Sequence, residues 1–171
     1  TRPDTDAAGA QQRRVLTASL QNARSLKPKL GDLRAAAPEL SRLDLMAVTE
    51  TWLNDSVLDS ELSAGPPGHT WLRRDRGSLG GGVACAVRSQ LQPTRLPVPD
   101  PPGSELLLIR LGAVSVTVAV CYRPPDGDAS LSRLTAAIDG LQGCDGLVLA
   151  VIRLAAPIVL DLALFMDLAM R

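Results

Sequence analysis

The run Leu43-Asp44-Leu45-Met46-Ala47-Val48-Thr49-Glu50-Thr51-Trp52-Leu53 decides the architecture. Leu43 to Val48 is nearly continuous in apolar residues, as expected of a strand covered on both faces, and a carboxylate, Glu50, follows its end. Upstream, Val15 to Leu20 reads as a first strand, with Asn22 at its close. Between the two, Leu26, Leu30, Leu33, Ala37 and Leu40 share one face of a helix. Ser25 is its expected cap, Pro28 fits its first turn, and Pro38 should end or kink it. Strand, helix and strand in this order predict a parallel unit. In α/β proteins chemistry gathers at the carboxyl ends of strands, which is where Asn22 and Glu50 stand.

Downstream the pattern becomes antiparallel. Val57, Leu58, Glu61 and Leu62 suggest a short helix capped by Asn54 or Asp55, and Gly65-Pro66-Pro67-Gly68 forces a turn. His69 to Arg73 and Val83 to Val87 read as strands around the glycine-rich link from Gly77 to Gly82. Gln92 to Pro102 is punctuated by proline and suits an edge strand or loop. Leu106 to Leu111 and Val114 to Cys121 predict a hairpin across Gly112-Ala113. Val114, Val116, Val118 and Val120 share one face with Tyr122, so this tyrosine terminates a bulky row. Leu131, Leu134, Ile138 and Leu141 predict a further helix, capped by Asp128 or Ser130, and Leu147 to Ala150 another buried strand. The whole reads as mixed α/β with several antiparallel strands.

At 171 residues the chain can hold one ordinary domain, and it begins at Thr1, which reads as a piece of something longer. Residues 1–13 are a polar lead-in, 14–150 the domain, and 151–171 an apolar tail of different character. Formal net charge is zero, which argues against a protein whose task is to coat nucleic acid, yet leaves room for a local basic patch. The cysteines, Cys85, Cys121 and Cys144, are far apart and in no ligand spacing. A reducing, intracellular setting, nuclear or cytoplasmic, is expected. A membrane span over the tail would have to accommodate Arg153, Asp161 and Asp167 at about 2.5–3.5 kcal/mol for each charge near its centre, so an interfacial or buried helix is the better expectation. His69, the one histidine, reads as ordinary surface.

Three polar groups now stand at strand ends: Asn22, Glu50 and the pair Tyr122-Arg123. A carboxylate at such a place can hold a hard cation such as Mg²⁺, which prefers oxygen ligands, and a phenol with a guanidinium suits a phosphate. Each alone has an ordinary structural explanation; their joint placement points to a metal and phosphate site.

Five blocks in order carry a resemblance. They are Asn22-Ala23-Arg24-Ser25-Leu26, Leu45 to Leu53, Arg73-Arg74-Asp75-Arg76, Gly80-Gly81-Gly82-Val83-Ala84 and Cys121-Tyr122-Arg123-Pro124-Pro125. Together they resemble the endonuclease domain of LINE-type (non-LTR) retrotransposons, in the endonuclease/exonuclease/phosphatase superfamily, from about Val15 to Ala150. The resemblance implies a two-sheet α/β sandwich, like the abasic-site nucleases, and Mg²⁺-dependent nicking of one DNA strand to prime reverse transcription. It implies that Glu50 binds the metal, that Asn22 supports the metal site, and that Tyr122 sits beside the scissile phosphate. Arg74 and Arg76 would lie near the DNA backbone, and Arg123, read from its place after Tyr122, offers a guanidinium to a phosphate.

The resemblance then breaks. After a strand like Leu147-Val148-Leu149-Ala150 the family continues with Gly-Asp-Phe-Asn, and much later with Ser-Asp-His; here Val151-Ile152-Arg153-Leu154 follows, and no Ser-Asp-His occurs. Asp161 and Asp167 match nothing in the family. The abrupt change suggests a frameshift or translated intron as the origin of the tail. The expectation is therefore an incomplete endonuclease domain that does not catalyse. Alternatives are a non-catalytic DNA-binding or interaction remnant and, less favoured, a remnant tethered to a membrane by the tail. A sandwich cut short in this way would expose sheet edges and invite self-association.

Overall fold

The computed structural model describes residues 15–63, 65–77, 80–98, 105–123, 146–153 and 166–167. The helix expected near Leu131 to Leu141 lies outside them, as do most of the tail and the polar lead-in. Ten strands and three short helices are described. They are β1 (Val15–Leu16), β2 (Ala18–Asn22), α1 (Leu30–Ala35), α2 (Ala37–Leu40), β3 (Leu45–Thr49), α3 (Asp59–Ser63), β4 (His69–Arg74), β5 (Val83–Arg88), β6 (Pro93–Leu96), β7 (Glu105–Leu111), β8 (Val116–Arg123), β9 (Gly146–Arg153) and β10 (Met166–Asp167). One sheet has the order β2-β3-β5-β4, a second β6-β7-β8-β9, and β1 pairs with β10. The fold is a mixed α/β sandwich, as the sequence predicts.

The parallel unit is present: Ala18 aligns with Leu45 and Asn22 with Thr49. β3 and β5 are buried on both faces, which is why they read as unbroken apolar runs. Leu45, Ala47, Val83, Cys85 and Val87 face the second sheet, while Met46, Val48, Ala84 and Ala86 pack under Leu26, Leu30, Leu33, Val57 and Leu62. From the second sheet, Leu107, Ile109 and Leu111 meet the row Val114, Val116, Val118, Val120 and Tyr122 in the central core. Ala119 and Cys121 lie on the other face with Leu106 and Leu108. The period-two reading of this arm holds from Val116 to Tyr122, while Val114 reaches the same core from the turn.

Local differences have physical causes. The first strand breaks at Thr17, whose N–H and hydroxyl are both bonded to Asp44 Oδ2, at 3.0 and 3.2 Å. The crossover helix is a 3-10 turn over Lys27–Lys29 followed by α1 and α2, parted at Ala36, because Pro38 at the start of α2 cannot donate into a preceding turn. Ser25 does not cap it; its φ of +77° places it in a left-handed bend. Asn54 makes a turn instead of a cap, accepting from the Ser56 N–H (2.9 Å), and Glu61 takes the Leu58 N–H (3.0 Å) where α3 begins. The β7–β8 loop is longer than the expected two residues, since Leu111 pairs with Val116 and Ser115 is left-handed. β6 is an edge strand. β9 runs parallel to β8 and continues past Ala150 to Arg153.

His69 is not surface. It is 9% exposed, with Nδ1 3.1 Å from the Pro67 carbonyl and Nε2 2.8 Å from the Leu43 carbonyl. The ring stitches the Gly65–Gly68 turn to the chain leading into β3. Among the described residues no helix is long and apolar enough to cross a membrane.

Candidate functional site

The topology assembles two rows at one end of the sandwich. In the first sheet, Asn22 aligns with Thr49, Thr49 with Val83, and Val83 with Arg74. In the second, Glu105 aligns with Tyr122 and Tyr122 with Ile152. Asn22 and Tyr122 lie in these rows, and Glu50 and Arg123 stand one residue beyond them.

Glu50 is where they meet. Asn22 Nδ2 and the Tyr122 hydroxyl each donate to Glu50 Oε1 at 2.9 Å. Asn22 is itself oriented, because its Oδ1 accepts the Arg24 N–H at 3.1 Å. The three residues expected to act together are joined through one oxygen atom. Burial, then the hydrogen bond to Glu50, then the charges of Glu50 and Glu105 push the Tyr122 phenol up to about 12. At neutral pH it is a donor.

The backbone around this oxygen is unusual. Glu50 and Trp52 have φ of +50° and +52°, and Arg24 and Ser25 of +43° and +77°. Such shapes cost side-chain-bearing residues about 1–3 kcal/mol each. They persist because the two strand ends continue to bond beyond the sheet: Ala23 N–H to the Thr49 carbonyl (2.8 Å), Ser25 N–H to Glu50 (2.9 Å) and Leu26 N–H to Thr51 (2.8 Å). On the other side, Thr51 and Trp52 donate to the Gly82 (3.2 Å) and Gly81 (2.8 Å) carbonyls. Gly80, Gly81 and Gly82 all have positive φ, and a Cβ on Gly82 would overlap the Thr51 hydroxyl. The glycine block is therefore required by close approach.

One site residue was missed. Glu105 Oε2 accepts the Gly82 N–H, and Oε1 lies 3.6 Å from Arg76 Nε. Its side chain is 12% exposed. Burial raises its pKa most, and the Glu50 charge adds to this against the pull of Gly82, Arg76 and Arg74. The sequence offered no motif at Ser104-Glu105; its signal is an acid directly before the apolar run Leu106 to Ile109.

The arginines divide. Arg76 is about half exposed and paired to Glu105. Arg74 donates from Nη1 to the Leu106 carbonyl at 2.7 Å, tying one sheet to the other. Burial, then Arg95, lowers its pKa. Arg123 closes β8 next to Arg153 in register, and its side chain is outside the described residues.

The fit to a cation can be tested on the donors. Glu50 Oε1 is used twice, whereas Oε2 accepts no hydrogen bond among the described residues. That leaves one hard oxygen. Among the described residues no group of three or more His, Cys, Asp or Glu side chains could hold a metal ion. Mg²⁺ is commonly bound by one or two carboxylates, retained waters and substrate phosphates, and the donor set fits that mode only.

No family model matches the chain, and no curated protein matches it. Solved structures do. The chain is similar to a 3′ phosphatase, NExo, from Neisseria bound to product DNA hairpin, with 17% identity and a TM-score of 0.57 over 80% of this chain and 56% of that one. The 3′-5′ exonuclease NExo of Neisseria meningitidis aligns at 20% identity and TM-score 0.53, over 80% and 57%. The fold is of the endonuclease/exonuclease/phosphatase type. A humanized D. rerio TDP2 aligns likewise, with 12% identity and TM-score 0.53 over 82% of this chain and 64% of that one. The chain spans less than two thirds of the length of each of these structures.

Proposed function

We propose that this chain is the metal-binding and phosphate-bordering half of a Mg²⁺-dependent DNA endonuclease site of the LINE-type retrotransposon kind, and that it does not nick DNA as it stands. The observation that carries the reading is the single oxygen, Glu50 Oε1, on which Asn22 and Tyr122 both converge. Glu50 would hold the cation through Oε2. Asn22 fixes the carboxylate plane, and the protonated Tyr122 borders the phosphate as a hydrogen-bond donor. Arg76, with Arg123 and Arg74, would meet the DNA backbone. When bound, Mg²⁺ supplies polarisation of a phosphoryl oxygen and stabilises charge on the leaving oxygen.

The loss of catalysis is argued from β9. In register, the residue beside Tyr122 is Ile152, and the stretch Val151-Ile152-Arg153-Leu154 contains no carboxylate or amide. A group that activates water typically contributes 10²–10⁴-fold to rate, and none stands there.

The test is a supercoiled-plasmid nicking assay with Mg²⁺, run beside Mn²⁺ binding followed by electron paramagnetic resonance. The expected result is no nicking, with cation binding that Glu50→Ala removes. Binding indifferent to Glu50→Ala overturns the ligand assignment. Nicking that Glu50→Ala abolishes overturns the claim of inactivity.

A further inference from the structure

We infer that Glu105 is a positioning residue, whose carboxylate clamps the Gly81–Gly82 turn from the opposite sheet and through it holds the Glu50–Trp52 segment in its left-handed shape. The consequence for cation binding rests on the proposed role of Glu50; the clamp itself does not.

The chain of contacts is continuous. Glu105 opens β7 in the second sheet and accepts the Gly82 N–H from the first. A Cβ on Gly81 would overlap Glu105 Oε1 and crowd Arg76 Cδ, so this turn is shaped to admit the carboxylate. The carbonyls of Gly81 and Gly82 in turn accept the N–H groups of Trp52 (2.8 Å) and Thr51 (3.2 Å), the residues directly after Glu50. Glu50 and Trp52 are both left-handed, and neither would adopt that shape without surroundings that impose it. Thr51 between them is fully buried. Arg76 closes the clamp from outside through its 3.6 Å contact with Oε1.

A positioning role and a purely electrostatic one make opposite predictions. Glutamine keeps an acceptor for the Gly82 N–H and removes the charge; alanine removes both. Glu105→Gln and Glu105→Ala are made in the whole chain, and amide hydrogen exchange is followed at Gly82 and Trp52. Glu105→Ala should speed exchange there about tenfold or more, the loss expected for one buried hydrogen bond, while β3 and β5 keep their protection. Glu105→Gln should stay close to wild type. Mn²⁺ affinity should follow the same order, with glutamine rescuing what alanine loses.

Unchanged exchange in Glu105→Ala overturns the clamp, whether or not a cation binds. Equal losses in both variants overturn it in favour of a charge effect. If Glu105→Ala fails to fold, Gly81→Ala, which blocks the carboxylate's seat, provides the second variant, and unchanged protection at Trp52 there overturns the clamp. Absence of Mn²⁺ binding in the wild type overturns the metal-site reading instead, and leaves the exchange result to decide the clamp.

Discussion

The Tyr122 hydroxyl donates to Glu50 Oε1 across 2.9 Å, although the two residues lie 72 positions apart, Tyr122 in the second sheet and Glu50 just past β3 of the first. The bond seals the end of the sandwich. On one side stands the bulky valine row of β8; on the other, the parallel pair β2–β3 delivers Glu50 with its Asn22 partner. Fold and candidate site therefore share a fastening.

Tyr122→Phe should lower unfolding stability by about 2 kcal/mol, since hydrogen bonds to charged groups contribute about 1.5–3, and urea denaturation would read the loss. Tyr122 is also the one tyrosine in the chain, so its ionisation can be followed by ultraviolet absorbance. From about 12, Glu50→Gln should move the midpoint downward. It should remain above the ordinary phenol value, because burial is the largest cause. A midpoint unaffected by Glu50→Gln would count against the bond.

Two glycines should respond with opposite signs. Gly82 has φ of +85° and a Cβ there would overlap Thr51 Oγ1, so Gly82→Ala should cost about 3 kcal/mol from strain and overpacking together. Gly31 lies in α1 with open space around a would-be Cβ. Gly31→Ala should stabilise by about 0.5–1 kcal/mol. Thermal unfolding of both variants checks the pair, and a similar effect at the two sites would contradict the described turn.

These contrasts mark what the sequence made legible. Alternation along β8 placed Val116, Val118, Val120 and Tyr122 on one face, and unbroken apolar text made β3 a strand covered on both sides; such local periodicities follow from strand geometry. Asn22, Glu50 and Tyr122 could be expected to converge because each follows or ends a strand. Glu105 could not. Its partners are Gly82, 23 positions away, and Arg76, and a contact between loops and strand starts leaves no period to read. His69 failed for the same reason: its burial depends on the Leu43 carbonyl, 26 positions away.

Glu105 should also leave a signature in pH. Its pKa in the folded chain is raised, mainly by burial, so the folded state holds the proton more tightly than the unfolded chain. Below the ordinary glutamate range the group exacts no penalty; as pH rises through the folded value, stability is lost. Glu105→Gln lacks this titration. Relative to that variant, the wild type should become less stable in urea unfolding as pH rises above the ordinary glutamate range. A difference that stays constant, or grows in favour of the wild type, would refute the direction.

Binding to DNA should be weak and measurably salt-dependent. With zero net charge, affinity must come from the local guanidinium groups, and each neutralised phosphate contributes about −0.9 to the slope of log K against log salt. Arg74 already serves the Leu106 carbonyl and Arg76 is paired to Glu105. Arg76 and Arg123 with a partial share from Arg74 give a slope of about −2 to −3. Arg76→Ala should reduce its magnitude by about 1. Glu105→Gln should act oppositely on affinity, because Arg76 then loses its internal counter-charge and becomes available to phosphate. Fluorescence anisotropy of a labelled oligonucleotide across a salt series measures both. A slope steeper than about −4 would mean that basic residues away from this end of the sandwich carry the binding.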